Sequence, residues 1–564
     1  MNAFAHPGVL AAIVLVGAAA LRFLGVDYGL PHPLVSDEEI LIGGTLRMAQ
    51  TQSFVPTLDP ELAAQLYYPV GLPYAYLLLF APLSGAVYLL SGMPGFGMLP
   101  GLLLENLGYF FLAARVLSAV LGVATVFIAY RLAAAMFASP AAGVVCAALL
   151  ATSWFHVVLS HFARHWSATV FFAWLAVWIA WRYWQSPSAR RAVGCALAAG
   201  AGFAVGYIAV LGYAAFVLAH LARYRTAFLN RYLFAGGAVL VSCIAASAVL
   251  HLPAITRLVG GDAPVLPVEE SKSVAAYFET LAFYLQSLLR AEPVLLVLGA
   301  VGGGLSLLRF PWLTGMLAVA FLGYTLFLDL FMPLEDRYIL PALPALALLA
   351  AGGFETARQV VRGGRVPRLI VTSLVAVCVS YAAWNAATVT RLLMAADSRE
   401  LAAAWVSENA DPSSLAVVAL NPVKLPASQA SLTRQADLAP GSLDFVDRYR
   451  LERGDAKGRE VLHVHRFGDE RLAGHAAQAL LAGLDASGAR FFVFAQRHDL
   501  PRSGLHALVA ERAAPSVVID PARDGVTPPD LRTTILVKDH SVQDYSRLER
   551  LGPRIEIYDL GTDR

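Results

Sequence analysis

Charge is scarce in this chain. Asp, Glu, Lys and Arg supply 15% of its 564 residues, where soluble proteins carry about 25%. Hydrophobic residues reach 58% and mean hydropathy +0.61, so most of the chain cannot dissolve in water as a monomer. A disordered, collagen-like or disulfide-stapled protein is thereby excluded. The formal net charge of +2 offers no acidic or basic field, so no nucleic acid is expected as a partner. Cysteine is equally rare. Cys146, Cys195, Cys243 and Cys378 all fall inside apolar runs, none at metal-ligand spacing, and read as small buried hydrophobes.

What charge there is gathers at one end. Of the 82 charged residues, 45 lie from Asp397 onward. The chain therefore divides into a membrane unit, 1–396, and a water-soluble unit, 397–564. Apolar runs of about 17–25 residues are long enough to cross the hydrocarbon layer as helices. Eleven are read, near 8–25, 109–131, 141–160, 168–184, 192–209, 210–224, 231–253, 291–309, 311–332, 338–354 and 366–388. A further stretch, 67–91, is interrupted by Pro69, Pro73 and Pro82. The basic clusters Arg182/Arg190/Arg191, Arg223/Arg225/Arg231, Arg309 and Arg358/Arg362/Arg365/Arg368 all fall on the side of the N-terminus if 67–91 does not cross, and all move outside if it crosses once. That stretch is therefore expected to lie at the outer surface or to re-enter. The expectation is a polytopic α-helical membrane protein with about eleven spanning helices. Its outer loops are 26–66 and 254–290, and its C-terminal α/β unit is extracytoplasmic. In that unit, 415–420, 461–466, 491–495, 534–537 and 555–558 read as strands, with helices over 398–410 and 472–484. No Gly-rich phosphate loop and no metal-spaced ligands occur there. His463 and His465 share a strand face without a third ligand and read as structural.

The polar chemistry collects on the outer face. Ser36, with Glu39 three residues on, forms a capping box, and Asp37 and Glu38 suit the positive end of the helix it opens. The same two acids, partly desolvated at the membrane surface, are placed to accept a proton or hold a cation. Tyr67 and Tyr68 precede Pro69, either as interfacial aromatics or as the wall of a lipid-facing groove. The corner Ser160-His161-Phe162-Ala163-Arg164-His165-Trp166 sets a basic cluster against the positive-inside trend. Arg164 either snorkels there or binds an anionic phosphate. Glu335-Asp336-Arg337-Tyr338 brings Arg337 to the outer end of a helix, neutralised by its acids or gripping a phosphate bidentately. Lys272, beside Glu269 and Glu270, is a further headgroup contact.

In this order the features resemble the membrane glycosyltransferases of the GT-C fold. They resemble in particular the bacterial relatives of protein O-mannosyltransferases and of the lipid A aminoarabinose and galacturonic acid transferases. The resemblance is carried by Ser36-Asp37-Glu38, Tyr68-Pro69, Ala114-Arg115-Val116-Leu117-Ser118 and Ala129-Tyr130-Arg131-Leu132. It continues through Ser160-His161-Phe162-Ala163-Arg164, Asp336-Arg337-Tyr338-Ile339-Leu340-Pro341 and Asp397-Ser398-Arg399. It implies a catalytic acid at Asp37, with Glu38 beside it, and donor-phosphate binding at Arg337, with Arg164 or Lys272 in support. His165, Tyr67, Tyr68, Tyr338 and Asp336 would line the substrate pocket. Where many relatives carry a second acid this chain has His165-Trp166, so a metal site is not expected, although a divalent cation stays open. The implied activity moves a sugar from a polyprenyl-phosphate donor to a lipid, polysaccharide or protein acceptor at the cytoplasmic (inner) membrane. A membrane transporter and a non-catalytic envelope-glycan assembly protein are the rival readings. The transporter is disfavoured because no internal repeat is found and the charges sit at one surface.

Overall fold

A computed structural model describes residues 7–35, 37–66, 68–259, 274–331, 334–360, 365–419, 423–439, 441–464, 474–496, 502, 504–523 and 541–561. Helices occupy all eleven apolar stretches. Among the described residues, seven are long and apolar enough to cross a membrane. An eighth arises if Val274–Ala291 and Pro293–Ser306, bent by 118°, form one span. Pro7–Phe23 and Pro140–Ala151 are shorter apolar helices.

The stretch 141–160 corrects the expectation of one continuous span. It breaks into Pro140–Ala151 and Trp154–Leu159. Backbone groups freed by a break inside hydrocarbon must find partners within the protein. Arg22 supplies them at one end, donating to the carbonyls of Ala151 (3.1 Å) and Leu150 (3.3 Å). Glu292, at the bend of the 118° pair, accepts from the Phe155 amide (2.9 Å) and from Ser153 Oγ (2.6 Å) at the other. A cation at a helix C-terminus and an acid at a helix N-terminus are the favourable signs for both macrodipoles.

The prolines of 67–91 do not break it. Gly71–Leu90 is one helix, with Pro73 in its first turn and Pro82 inside it, and it is among the seven long enough to cross. Its start packs on Ala204 and Val205, and the Gly97 carbonyl beyond its end accepts from Arg453 (3.5 Å). The centre of the membrane unit is Leu343–Val360, buried along nearly its whole length. Glycine admits its neighbour Pro293–Ser306: a Cβ on Gly353 would sit 2.2 Å from Gly302 Cα. Such small-residue contacts let helix backbones approach where lipid offers no hydrophobic drive. The flanks carry exposed Leu374, Val377 and Trp384, apolar surface suited to lipid.

The C-terminal unit holds a five-stranded sheet. Its strands are β1 (Leu415–Val418), β2 (Val461–His463), β3 (Ala489–Gln496), β4 (Val517–Ile519) and β5 (Arg554–Asp559), in the order β2-β1-β3-β5-β4. Strand β1 pairs parallel with β2 and β3, and β5 pairs antiparallel with β3 and β4. The helices read at 398–410 and 472–484 are found as Ser398–Asn409 and Gly474–Ala486. Strand β4 was not legible in the sequence. The strand read at 534–537 and His465 lie outside the described residues, and His463 is buried at the end of β2.

Candidate active site

The loop 26–37 enters the helix Glu38–Thr51 through Asp37, whose φ of 70° is left-handed. Asp37 precedes that helix without a side-chain cap on it, and the capping box read at Ser36 lies outside the described residues. Asp37 Oδ2 instead accepts from Arg164 Nη2 (2.6 Å) and from the Tyr68 hydroxyl (2.8 Å), while Arg164 Nη2 also reaches Tyr68 (3.0 Å). Arg164 is buried, whereas the Asp37 side chain stays 27% exposed. One face of the carboxylate is held and the other is open.

Glu38, one residue on, is fully enclosed. Arg115 grips it bidentately, Nε to Oε1 at 2.9 Å and Nη2 to Oε2 at 2.7 Å, and the Ala163 amide donates to Oε1 (2.6 Å). Arg115 Nη1 donates to the carbonyls of Val26 (3.2 Å) and Tyr28 (2.6 Å). Both side chains of the pair are 0% exposed. Glu38, expected beside Asp37 as a second catalytic acid, is placed with its carboxylate buried and paired, in contrast to the part-exposed Asp37. The pair fixes the loop 26–28 and the corner residue Ala163, and so the two arms that carry Asp37 and Arg164.

Past Arg164, the corner presents His165 and Trp166. The His165 ring lies 5.3 Å from that of Tyr68 and 4.2 Å from that of Trp166. Burial, then the neighbouring charges of Arg164 and Arg337, hold its pKa well below the ordinary histidine value, so the ring is neutral. Trp166 is a shared platform. The guanidinium carbons of Arg164 and Arg337 stand 5.8 and 5.7 Å from its ring, and Arg337 is 5.5 Å from Tyr338. Arg337 pairs with Glu335 at 3.1 Å. Its turn, Asp336–Ala342, is tied down by Tyr324 donating to the Tyr338 carbonyl (2.6 Å) and Trp174 Nε1 to the Pro341 carbonyl (2.9 Å). Asp336 is buried at the start of that turn.

Four of the donors converging here are buried without a hydrogen-bond partner among the described residues: Arg164 Nε, Arg164 Nη1, Trp166 Nε1 and Arg337 Nε. A cluster of orphaned cationic donors is costly unless an anion completes it. Asp37, Arg164, His165, Tyr68, Arg337 and Tyr338 are thus brought together as the sequence suggested. Tyr67 and Lys272 lie outside the described residues. Among those residues no three His, Cys, Asp or Glu side chains gather at metal-binding distance.

The arrangement also orders the two ends of the bundle. Trp166 begins the helix that carries Arg182 about 24 Å further along its axis. The turn carrying Arg337 leads into the helix that ends near Arg358, about 22 Å away. Asp37 and Arg337 share one end, and those arginine turns occupy the other. The C-terminal unit docks at the site's end. Tyr28 donates its hydroxyl to Asp397, which Arg399 grips at 2.7 and 2.9 Å, and Lys424 pairs with Glu39.

Sequence reasoning missed Arg115, Tyr28 and Trp166. A signal existed for Arg115, an isolated charge in the apolar helix Leu107–Met136, where charge is expensive and has a purpose. Trp166 and Tyr28 carried none beyond their interfacial location.

No family model matches the chain, and no curated protein does. Among solved structures it is similar to ArnT from Cupriavidus metallidurans bound to undecaprenyl phosphate. That likeness has a TM-score of 0.43 and 15% identity, over 70% of this chain and 72% of that one. Arabinofuranosyltransferase AftD from Mycobacteria is similar with a TM-score of 0.45 and 15% identity, over 100% of this chain and 40% of that one. The archaeal oligosaccharyltransferase AglB from Archaeoglobus fulgidus is similar with a TM-score of 0.42 and 13% identity, over 88% and 70%. Likenesses this loose assign no chemistry, which has to come from the residues.

Proposed function

We propose that this chain is an integral-membrane glycosyltransferase that moves a sugar from a polyprenyl-phosphate donor to an acceptor hydroxyl on the outer face of the cytoplasmic membrane. In this reading 1–396 is the transferase unit and 397–564 an extracytoplasmic α/β unit. The supporting observation is the half-open Asp37 carboxylate next to the orphaned donors of Arg164, Trp166 and Arg337. A base beside an anion-binding cluster is what displacement of a phosphate from an anomeric carbon requires. Lipid-facing helices suit the donor's tail, and the polar end suits its head.

The acceptor hydroxyl gives its proton to Asp37 as its oxygen bonds to the anomeric carbon. The bond from that carbon to the phosphate oxygen breaks, and the electron pair leaves with the polyprenyl phosphate. Arg337 and Arg164 stabilise the charge that develops on the phosphate, where preorganised donors contribute most. His165, held neutral, adds no competing positive charge and lines the pocket with Tyr68 and Tyr338. Glu38 and Arg115 position the arms and take no part in proton transfer. Lys272 and Tyr67, from outer segments, would complete the headgroup contacts.

The test is release of sugar from undecaprenyl-phosphate-linked sugars by the purified protein in nanodiscs, with glucosyl, mannosyl and arabinosyl donors run in parallel. Asp37→Asn keeps the size and removes the base. It is expected to lower transfer about 10²–10⁴-fold. Unchanged turnover in that variant ends the assignment.

A further inference from the structure

A cavity lies beside the site and shares none of its donor-binding residues. It encloses about 180 Å³ between the segment 26–66 and the C-terminal unit. Leu46, Leu104, Leu107, Phe111 and Val446 form its apolar walls. Its charged groups come from both units: Glu39 and Glu105 from the membrane side, Lys424, Asp444, Asp447 and Arg450 from the other. Four acids stand against two bases, a formal balance of −2. Lys424 is already committed, paired with Glu39 and 4.0 Å from Asp444. Glu39 is two residues from Asp37, so the cavity wall comes within about 7 Å of the Asp37 Cα along the chain.

We propose that this cleft binds the acceptor, and that it selects a hydroxyl-rich glycan that is neutral or amine-bearing over one that carries phosphate or carboxylate groups. Carboxylates offer two acceptor oxygens each, suited to pairs of sugar hydroxyls and to ammonium groups. Apolar walls accept the less polar faces of sugar rings. An anionic acceptor meets like charge at Glu105 and Asp447, the negative element from which discrimination arises. The two sites then divide the electrostatic work: the Arg164–Arg337 cluster takes the anionic donor, and the acidic cleft keeps anions out of the acceptor's place. The word acceptor depends on the transferase reading. Occupancy of the cleft does not, because it is read with no donor present, so either can fail alone.

The experiment places a reporter thiol on the cleft wall by Val446→Cys in the full-length protein in nanodiscs. Its rate of labelling by a water-soluble maleimide is then measured with millimolar maltotetraose, a glucosamine tetramer, tetragalacturonate or trilysine. The neutral and amino tetrasaccharides are expected to slow labelling at least fivefold, and tetragalacturonate to leave it unchanged. Adding Glu105→Lys and Asp447→Lys, both on the cleft wall and outside the Asp37 cluster, should transfer protection to tetragalacturonate. Protection of the unsubstituted cleft by tetragalacturonate, protection by trilysine alone, or protection by none of the glycans would overturn the proposal.

Discussion

The corner around Arg164 and the seam around Arg115 are built from the same parts, an arginine and one of the adjacent carboxylates Asp37 and Glu38. They differ in completeness. Every nitrogen of Arg115 donates, and Glu38 is enclosed on all sides. Arg164 spends one nitrogen on Asp37 and Tyr68 and keeps Nε and Nη1 unpartnered, beside a second guanidinium on the same indole. A saturated charge pair holds structure, and a charge with spare donors awaits a ligand. Sequence adjacency hides this, because Asp37 sits in a left-handed turn just before the helix that Glu38 begins, and the two side chains meet different partners.

The comparison can be broken by exchanging the fates of the two arginines. Arg164→Gln should lower sugar transfer about 10²–10³-fold, the cost of losing one preorganised donor, while the thermal midpoint stays near that of the parent. Arg115→Ala should instead cost about 3–5 kcal/mol of stability, since it strands the buried Glu38. This is read by thermal unfolding in detergent, and transfer per folded molecule should fall far less than in the Arg164 variant. If both variants lose stability alike, the distinction drawn here is wrong.

Smaller effects sharpen it. Tyr28→Phe removes the hydroxyl bond to Asp397 that ties the loop 26–37 to the C-terminal unit. Such bonds to charged groups are worth about 1.5–3 kcal/mol, and the loss should appear as faster proteolysis near Asp397. The smallest effect concerns acid stability within the C-terminal unit. Burial alone would push Glu556 up, but Arg502, Tyr558 and His506 outweigh it and hold its pKa at about 2. A carboxylate lowered on folding stabilises at neutral pH and loses that contribution as pH falls from about 4.5 toward 2. Glu556→Gln should flatten the acid limb of an unfolding-versus-pH series by lowering stability above about pH 6, while the slope there stays unchanged.

Much of the fold was legible because apolar length is a strong signal: all eleven stretches are helical, although 141–160 is broken in two. The break at Thr152-Ser153 was not, since its cost is met by Arg22 and Glu292, more than 100 residues away in either direction. The site was legible as residue types at one surface. Its grouping came from packing: Trp166 gathers two arginines only because the turn Asp336–Ala342 is tied to the Trp166–Gln185 helix. The burial of Glu38 was not legible, because its partner Arg115 lies 77 residues away.

The most direct measurement is the affinity of the purified protein for undecaprenyl phosphate, by native mass spectrometry, with Arg337→Ala compared against Arg182→Ala at the far end of the bundle. Loss of a charge-assisted phosphate contact should weaken binding about tenfold or more in the first and leave the second at the parent value. Equal affinity in all three proteins, or an equal loss in both variants, would contradict an anion site at the Arg164–Trp166–Arg337 cluster.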